Sequence, residues 1–198
     1  MLELIIFADT VLFRLCNEAI ANPVFDRLMP FITNEDNFVI PILLIWIGLM
    51  IFGGKRGRIA GILLIIATGL SDYIAAQWLK PLIGRLRPCH ALEGVRLLVS
   101  CGGKYGFVSN HAANMFASMT ILGYFFHRYR WYLWAIAALV SFSRVYVGVH
   151  YPGDILIGGL FGYGMAMAAV GILILANYGL RPRGISWLEW RDPPPDIT

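Results

Sequence analysis

Along most of the chain, long apolar runs alternate with short breaks that carry the charges. Five runs are read as membrane-spanning helices, at 38–52, 59–79, 111–126, 131–149 and 155–176. They approach or exceed the roughly 20 apolar residues that a helix needs to cross the hydrocarbon layer. The last run has no charge, and its Gly158 and Gly162 are one helical turn apart, a spacing that admits close helix packing.

The first 20 residues follow a different pattern. On a helix, Glu3, Thr10, Arg14, Asn17 and Glu18 gather on one side and Leu4, Ala8, Val11, Leu12, Leu15 and Ala19 on the other, with Asp9 alone breaking the division. That is the pattern of a helix lying at a membrane surface, since each buried charge would cost roughly 2.5–3.5 kcal/mol at a bilayer centre. The alternative is a sixth span that packs its charges inward. Residues 23–37, with Asp26, Arg27, Glu35 and Asp36, are read as a short interfacial stretch.

The expected fold is therefore an all-α polytopic membrane bundle, with five spanning helices plus an N-terminal amphipathic interfacial helix. Its parts are an interfacial segment (1–37), a transmembrane bundle (38–178) and a cytoplasmic tail (179–198). The start MLELIIFADT has no basic region or small-residue cleavage site, so no removable signal peptide is read.

Composition agrees with a membrane protein. Of 198 residues 58% are hydrophobic and 14% charged, and the mean hydropathy is +0.67. The net charge of +4 does not point to nucleic acid, because the basic residues sit at the ends of apolar runs. Lys55, Arg56 and Arg58 fill the first short connection, Arg128 and Arg130 the third, and Arg181, Arg183 and Arg191 the tail. With five spans these share one side, which the positive-inside rule makes cytoplasmic. The long connection 80–110 and the short one around His150 then face the periplasm or exterior. Cys89 and Cys101 both lie in that long connection, where oxidation can join them; two free thiols is the other reading, and Cys16 stays unpaired in either. No CxxC pair supports zinc.

Three clusters on the outer side carry chemistry: Lys80-Pro-Leu-Ile-Gly-Arg-Leu-Arg87-Pro88; Phe107-Val-Ser109-Asn110-His111; and Ser143-Arg144-Val-Tyr-Val-Gly-Val-His150-Tyr-Pro-Gly-Asp154. Lys80, Arg87 and Arg144 offer three cations suited to a tetrahedral dianion, because guanidinium groups bind phosphate oxygens in pairs. Ser109 is a good N-cap for the helix that follows, and free amides there favour an anion. Pro152 can open the last helix, with Asp154 in its first turn. Asp154 can then orient His150 and leave its other nitrogen free to attack. His111 can protonate the leaving oxygen. An ionised residue within an apolar span, as Arg144 is, usually has a partner or a function. By contrast, Lys80, Arg85 and Arg87 can also mark a membrane boundary.

Together the clusters resemble the signature of the type 2 phosphatidic acid phosphatase (PAP2) superfamily, K-x6-RP, PSGH and SR-x5-H-x3-D. The first and third motifs match at every defined position. The second departs at Val108, where the family has proline, and at Asn110, where it usually has glycine. The resemblance implies that Lys80, Arg87 and Arg144 bind the phosphoryl group, helped by Ser109 and the Asn110 amide. It makes His150 the nucleophile, Asp154 its orienting partner and His111 the acid, with no metal and no cofactor.

The implied partners are a lipid phosphate and the membrane lipids, and the implied location is an inner membrane; a homo-oligomer is left open. The expected activity is lipid phosphatase or diphosphatase, on a polyprenyl diphosphate such as undecaprenyl diphosphate, phosphatidylglycerophosphate, phosphatidic acid or a lipid A phosphate. Vanadate-dependent halide oxidation uses a similar cradle but sits badly with the membrane composition. A non-enzymatic alternative is an inactive lipid-phosphate transporter or scaffold. Asp72, two turns before Lys80, is read as a bundle contact, His90 as a loop histidine that can face substrate, and His127 as remote from the site.

Overall fold

The computed structural model describes residues 2–180 and 182, so Arg181, Arg183, Arg191 and most of the expected tail lie outside the described residues. Most of the described backbone is helical. The helices are α1 (Leu2–Arg14), which widens into a π-helical turn at Leu15–Ala19, α2 (Pro23–Thr33), α3 (Val39–Phe52) and α4 (Gly54–Ile74). A second π-turn, Ala75–Leu79, runs directly into α5 (Lys80–Ile83); α6 (Pro88–Ala91), α7 (Asn110–Phe125), α8 (Arg130–Tyr146) and α9 (Pro152–Leu180) follow.

Among the described residues, three stretches are long and apolar enough to cross a membrane: Glu35–Phe52, Gly54–Ile83 and Pro152–Leu180. The other two expected spans coincide with α7 and α8, of 16 and 17 residues. At 1.5 Å per residue these are somewhat shorter than a hydrocarbon layer of about 30 Å. The expected span at 59–79 starts too late. The helix begins at Gly54 because Gly54, at φ +58°, turns the chain within one residue after α3. Lys55, Arg56 and Arg58 therefore lie in its first turns.

The core is formed by α4, α7 and α9 around Ala60, Ala67, Ile121, Phe125, Ala166 and Val170. Small residues dominate because lipid is as apolar as a leucine side chain, so helices gain from close backbone approach rather than from hiding apolar surface. A Cβ on Gly158 would stand 2.7 Å from the Ser109 carbonyl oxygen, and one on Gly162 would overlap the Ala113 backbone. The glycine pair therefore sets the α7–α9 crossing, as the spacing suggests. None of the residues of α3 is buried, and Ile40, Leu44 and Phe52 point outward. The guanidinium of Arg56 lies 5.9 Å from the Phe126 ring, so the two short basic turns meet at one end of the bundle.

At the opposite end, Gly84 in the left-handed region (φ +65°) stops α5. The chain then pairs with residues 104–106: Arg87 N–H donates to the Lys104 carbonyl at 3.2 Å and Gly106 N–H to that of Arg85 at 2.8 Å. Cys89 and Cys101 are joined by a disulfide with their Cα atoms 6.2 Å apart, and Cys16 is free.

The N-terminal helix departs from the simple amphipathic reading. Its protein-facing stripe is Asp9, Phe13 and Asn17, all buried, whereas Leu4, Phe7, Val11, Leu12 and Leu15 are exposed. Asn17 donates to the carbonyls of Arg96 and Tyr146 at 2.9 and 2.7 Å, and accepts from Arg96 N–H at 3.0 Å. The short interfacial stretch read at 23–37 contains α2, capped by Asn22, whose side chain accepts from Val24 and Phe25 N–H.

Candidate active site

His150 ends the connection between α8 and α9 and is buried, as is Asp154 one turn later. Its Nδ1 lies 3.3 Å from Asp154 Oδ2, and its Nε2 lies 3.3 Å from Arg87 Nη1. These partners dictate the tautomer. A guanidinium can only donate and a carboxylate can only accept, so neutral His150 carries its proton on Nδ1 and a lone pair on Nε2. Burial, then the nearby charges of Arg87, Arg144 and Lys80, hold its imidazole well below the ordinary histidine range. The ring is neutral at physiological pH, with its unprotonated nitrogen toward the cations.

The sequence-predicted cations do converge. Lys80 lies within electrostatic range of Arg87 and Arg144, and also of Asp72 and Asp154. The π-turn Ala75–Leu79 immediately precedes Lys80, an irregularity frequent at functional sites. Among the described residues, Nε of Arg87 and Nε of Arg144 are buried without a hydrogen-bond partner. Buried guanidinium N–H groups left over in this way suit an anion with several oxygens. Arg144 Nη1 donates to Thr33 Oγ1 at 2.7 Å.

Ser109 caps α7, its hydroxyl accepting from Ala112 N–H at 3.4 Å, and its own N–H donates to the Asp154 carbonyl at 3.1 Å. The second and third motifs are thus joined backbone to backbone. His111, in the first turn of α7, is within electrostatic range of Arg144, His150 and Arg87, and the Thr33 backbone carbonyl is in hydrogen-bonding reach of its ring. The Asn110 side chain meets Asp72: Nδ2 donates to Asp72 Oδ1 at 2.7 Å, and Asn114 Nδ2 donates to the same oxygen at 2.8 Å. Asp72 is accordingly a bundle contact, as read. His90 is exposed, its Nε2 3.5 Å from the Gly102 carbonyl. His127 sits in the short turn after α7, at the far end of the bundle.

Three contributors escaped the sequence reading. Arg85 Nη1 donates to Asp154 Oδ1 at 2.8 Å, its Nη2 reaches Asp9 Oδ2 at 2.6 Å, and its guanidinium lies 4.0 Å from the Tyr151 ring centroid. Asp9 was visible as the one charge that breaks its helix pattern, and a lone ionised group in an apolar helix calls for a partner. Thr33 gave no signal, because a threonine at the end of a short helix is ordinary. The remaining cluster of possible metal ligands, Cys89, His90 and Cys101, has its donor atoms within 4.8 Å of one another. Both thiols are committed to the disulfide, which removes the thiolates that a metal would need.

Comparison with known proteins places this geometry in context. A family model described as the PAP2 superfamily matches residues 60–177. The lipid A 4'-phosphatase of Bacteroides thetaiotaomicron is 32% identical over 174 residues, 82% of this chain and 75% of that protein. The lipid A 4'-phosphatase of Porphyromonas gingivalis is 32% identical over 100 residues, 48% of this chain, and there the match spans only 42% of the relative. The crystal structure of Aquifex aeolicus LpxE superposes with a TM-score of 0.68 at 26% identity, covering 82% of this chain and 94% of that one.

Proposed function

Since this chain belongs to the PAP2 superfamily, we propose that it is a membrane lipid phosphatase that hydrolyses its substrate through a phosphohistidine. The observation that carries the reading is the tautomer of His150. Its Nδ1–H is held by Asp154 and its Nε2 lone pair is turned toward Arg87. That is the arrangement of a nucleophile beside an oxyanion site.

In the first half-reaction Nε2 attacks phosphorus and the ester or anhydride oxygen leaves, taking a proton from His111. Lys80, Arg87 and Arg144 neutralise the phosphoryl oxygens in the role that a divalent metal plays elsewhere, so the reaction needs no metal. Ser109 and the Asn110 amide hold the same group from the α7 terminus. In the second half-reaction His111 takes a proton from water, which attacks phosphorus; the N–P bond breaks and inorganic phosphate departs.

The substrates in view are a lipid A phosphate, the activity named for the Bacteroides relative, a polyprenyl diphosphate, phosphatidylglycerophosphate and phosphatidic acid. A head group at the interface with its tails in the bilayer suits a site at one end of an apolar bundle. We read five spans, α3, α4, α7, α8 and α9, with α1 interfacial. Asp9 and Asn17 are two turns apart, yet both meet elements at the site end, Gly153 and Tyr146, which supports a helix lying across that end. The basic turns around Arg56 and Arg130 favour a site open to the periplasm or exterior. Within this plan 1–37 buttresses the catalytic bundle 38–178, and 179–198 is a cytoplasmic tail.

The test is phosphate release by purified protein from a panel of these lipids with EDTA present. Acid-labile, base-stable label on the wild type from a ³²P substrate, absent in His150→Ala, is the expected result. Turnover by His150→Ala at the wild-type rate would overturn the mechanism.

A further inference from the structure

Asp9 stands 145 positions before Asp154, on a helix that the motifs do not include, yet its carboxylate sits at the centre of the turn that carries the proposed nucleophile. One oxygen, Oδ1, accepts from Gly153 N–H at 2.7 Å and so serves as an N-cap for α9 supplied from another helix. The other, Oδ2, is 2.6 Å from Arg85 Nη2, while Arg85 Nη1 is 2.8 Å from Asp154 Oδ1. The guanidinium is planar and rigid, so a shift of one carboxylate is transmitted to the other. Asp154 keeps Oδ2 for His150 Nδ1 at 3.3 Å and for Tyr151 N–H at 3.0 Å.

Two further contacts fix the same turn. Tyr151 lies between the Arg85 guanidinium and Phe13, whose ring centroid is 5.5 Å away and which is one turn beyond Asp9 on α1. A Cβ on Gly153 would stand 2.8 Å from Asp9 Oδ2, so a side chain there would press on this carboxylate. Charge matters as well as shape. Arg85 holds Asp154, which is itself within electrostatic range of Lys80 and Arg87. With Asp154 as its only anionic partner, it would be free to swing onto the phosphoryl group and release Asp154. Asp9 occupies the second half of the guanidinium and removes that option.

We propose that Asp9 is a positioning residue for the phosphatase reaction, acting through Arg85 to hold Asp154 and the His150 imidazole in attacking geometry. The inference rests on His150 being the nucleophile. It also gives the N-terminal helix a part in catalysis beyond membrane attachment.

The experiment uses the full chain in detergent, with Asp9→Asn, Arg85→Gln and the double variant. Asparagine keeps an acceptor for Gly153 N–H and puts an NH2 group, which cannot accept from a guanidinium, where Oδ2 faces Arg85. Asp9→Asn should lower kcat about tenfold, with KM within about twofold, since the loss is one of orientation and not of lipid binding. In the Arg85→Gln background the same change should cost less than about twofold, because Asp9 then has nothing to act through. A second readout needs no substrate. With ¹⁵N-labelled histidine, the His150 ring resonance, identified by its loss in His150→Gln, should shift in Asp9→Asn. Wild-type kcat in Asp9→Asn, an equal penalty in both backgrounds, or an unmoved His150 resonance in folded protein would each overturn the proposal. If the wild type cleaves none of the lipids, the functional reading fails, and the resonance alone decides the role of Asp9.

Discussion

Thr33 and Arg144 are 111 positions apart, and the hydroxyl of the first accepts a 2.7 Å hydrogen bond from Nη1 of the second. The same residue offers its backbone carbonyl to the His111 ring. The last turn of a short helix thus holds two groups that the motifs assign to phosphate binding and proton transfer. Thr33→Val keeps the shape and removes the acceptor. A hydrogen bond to a charged group is worth about 1.5–3 kcal/mol, so kcat/KM should fall by roughly tenfold or more while the protein stays folded. Steady-state kinetics alongside a thermal melt would check this; unchanged kinetics would exclude a role for the contact.

If His111 is the acid, its loss should matter most for poor leaving groups. His111→Ala is expected to slow hydrolysis of a lipid phosphate by about 10²–10⁴-fold. With 4-nitrophenyl phosphate, whose leaving group departs as a stable anion, the deficit should shrink to about tenfold or less. Equal deficits on both substrates would point to a binding role instead.

The environment of His150 has a consequence for pH. Its folded-state value is depressed, first by burial and then by Arg87, Arg144 and Lys80. A depressed group contributes stability that is present above its unfolded value of about 6.5 and lost as pH falls from there toward the folded value. The melting temperature should therefore drop on acidification below about pH 6.5, and drop less steeply in His150→Gln. Melts in detergent across that range would show it, and parallel curves for the two proteins would contradict it.

The disulfide between Cys89 and Cys101 predicts one reactive thiol, that of Cys16, in denatured unreduced protein and three after reduction. Closing a loop of this size stabilises a chain by up to about 3 kcal/mol. Reduction should lower the melting temperature, and Cys89→Ser should reproduce the effect. Three thiols before reduction would disprove the bond.

The motif residues could be read from sequence because each lies at a helix end, where a capping serine, an initiating proline or a charge beside an apolar run leaves a local mark. Ser109, Pro152 and Lys80 are of that kind. Arg85, Asp9 and Thr33 act across long stretches of chain, and no local pattern reports which helix will dock on which. The face on which the N-terminal helix packs is hard to read in sequence for a further reason. In water its apolar side would face the protein, but among lipids the rule loses its direction. The side that packs is Asp9, Phe13 and Asn17, where specific partners wait. Helix α4 was begun too late because a glycine turn tight enough to place basic residues in the first helical turn looks, in sequence, like a loop.

The crossing of α7 and α9 has a mechanical consequence. His111 rides on one of these helices, and the turn bearing His150 leads into the other. What sets their approach is main chain against the bare faces of Gly158 and Gly162. Side chains can exchange rotamers, whereas a peptide carbonyl seated on a glycine has no second position to adopt. The spacing between His111 and His150 is therefore set by contacts of main chain. The outward-facing α3, which buries none of its residues, contributes nothing to that crossing and is held to α4 by Trp46, whose Nε1 donates to the Gly61 carbonyl at 3.1 Å.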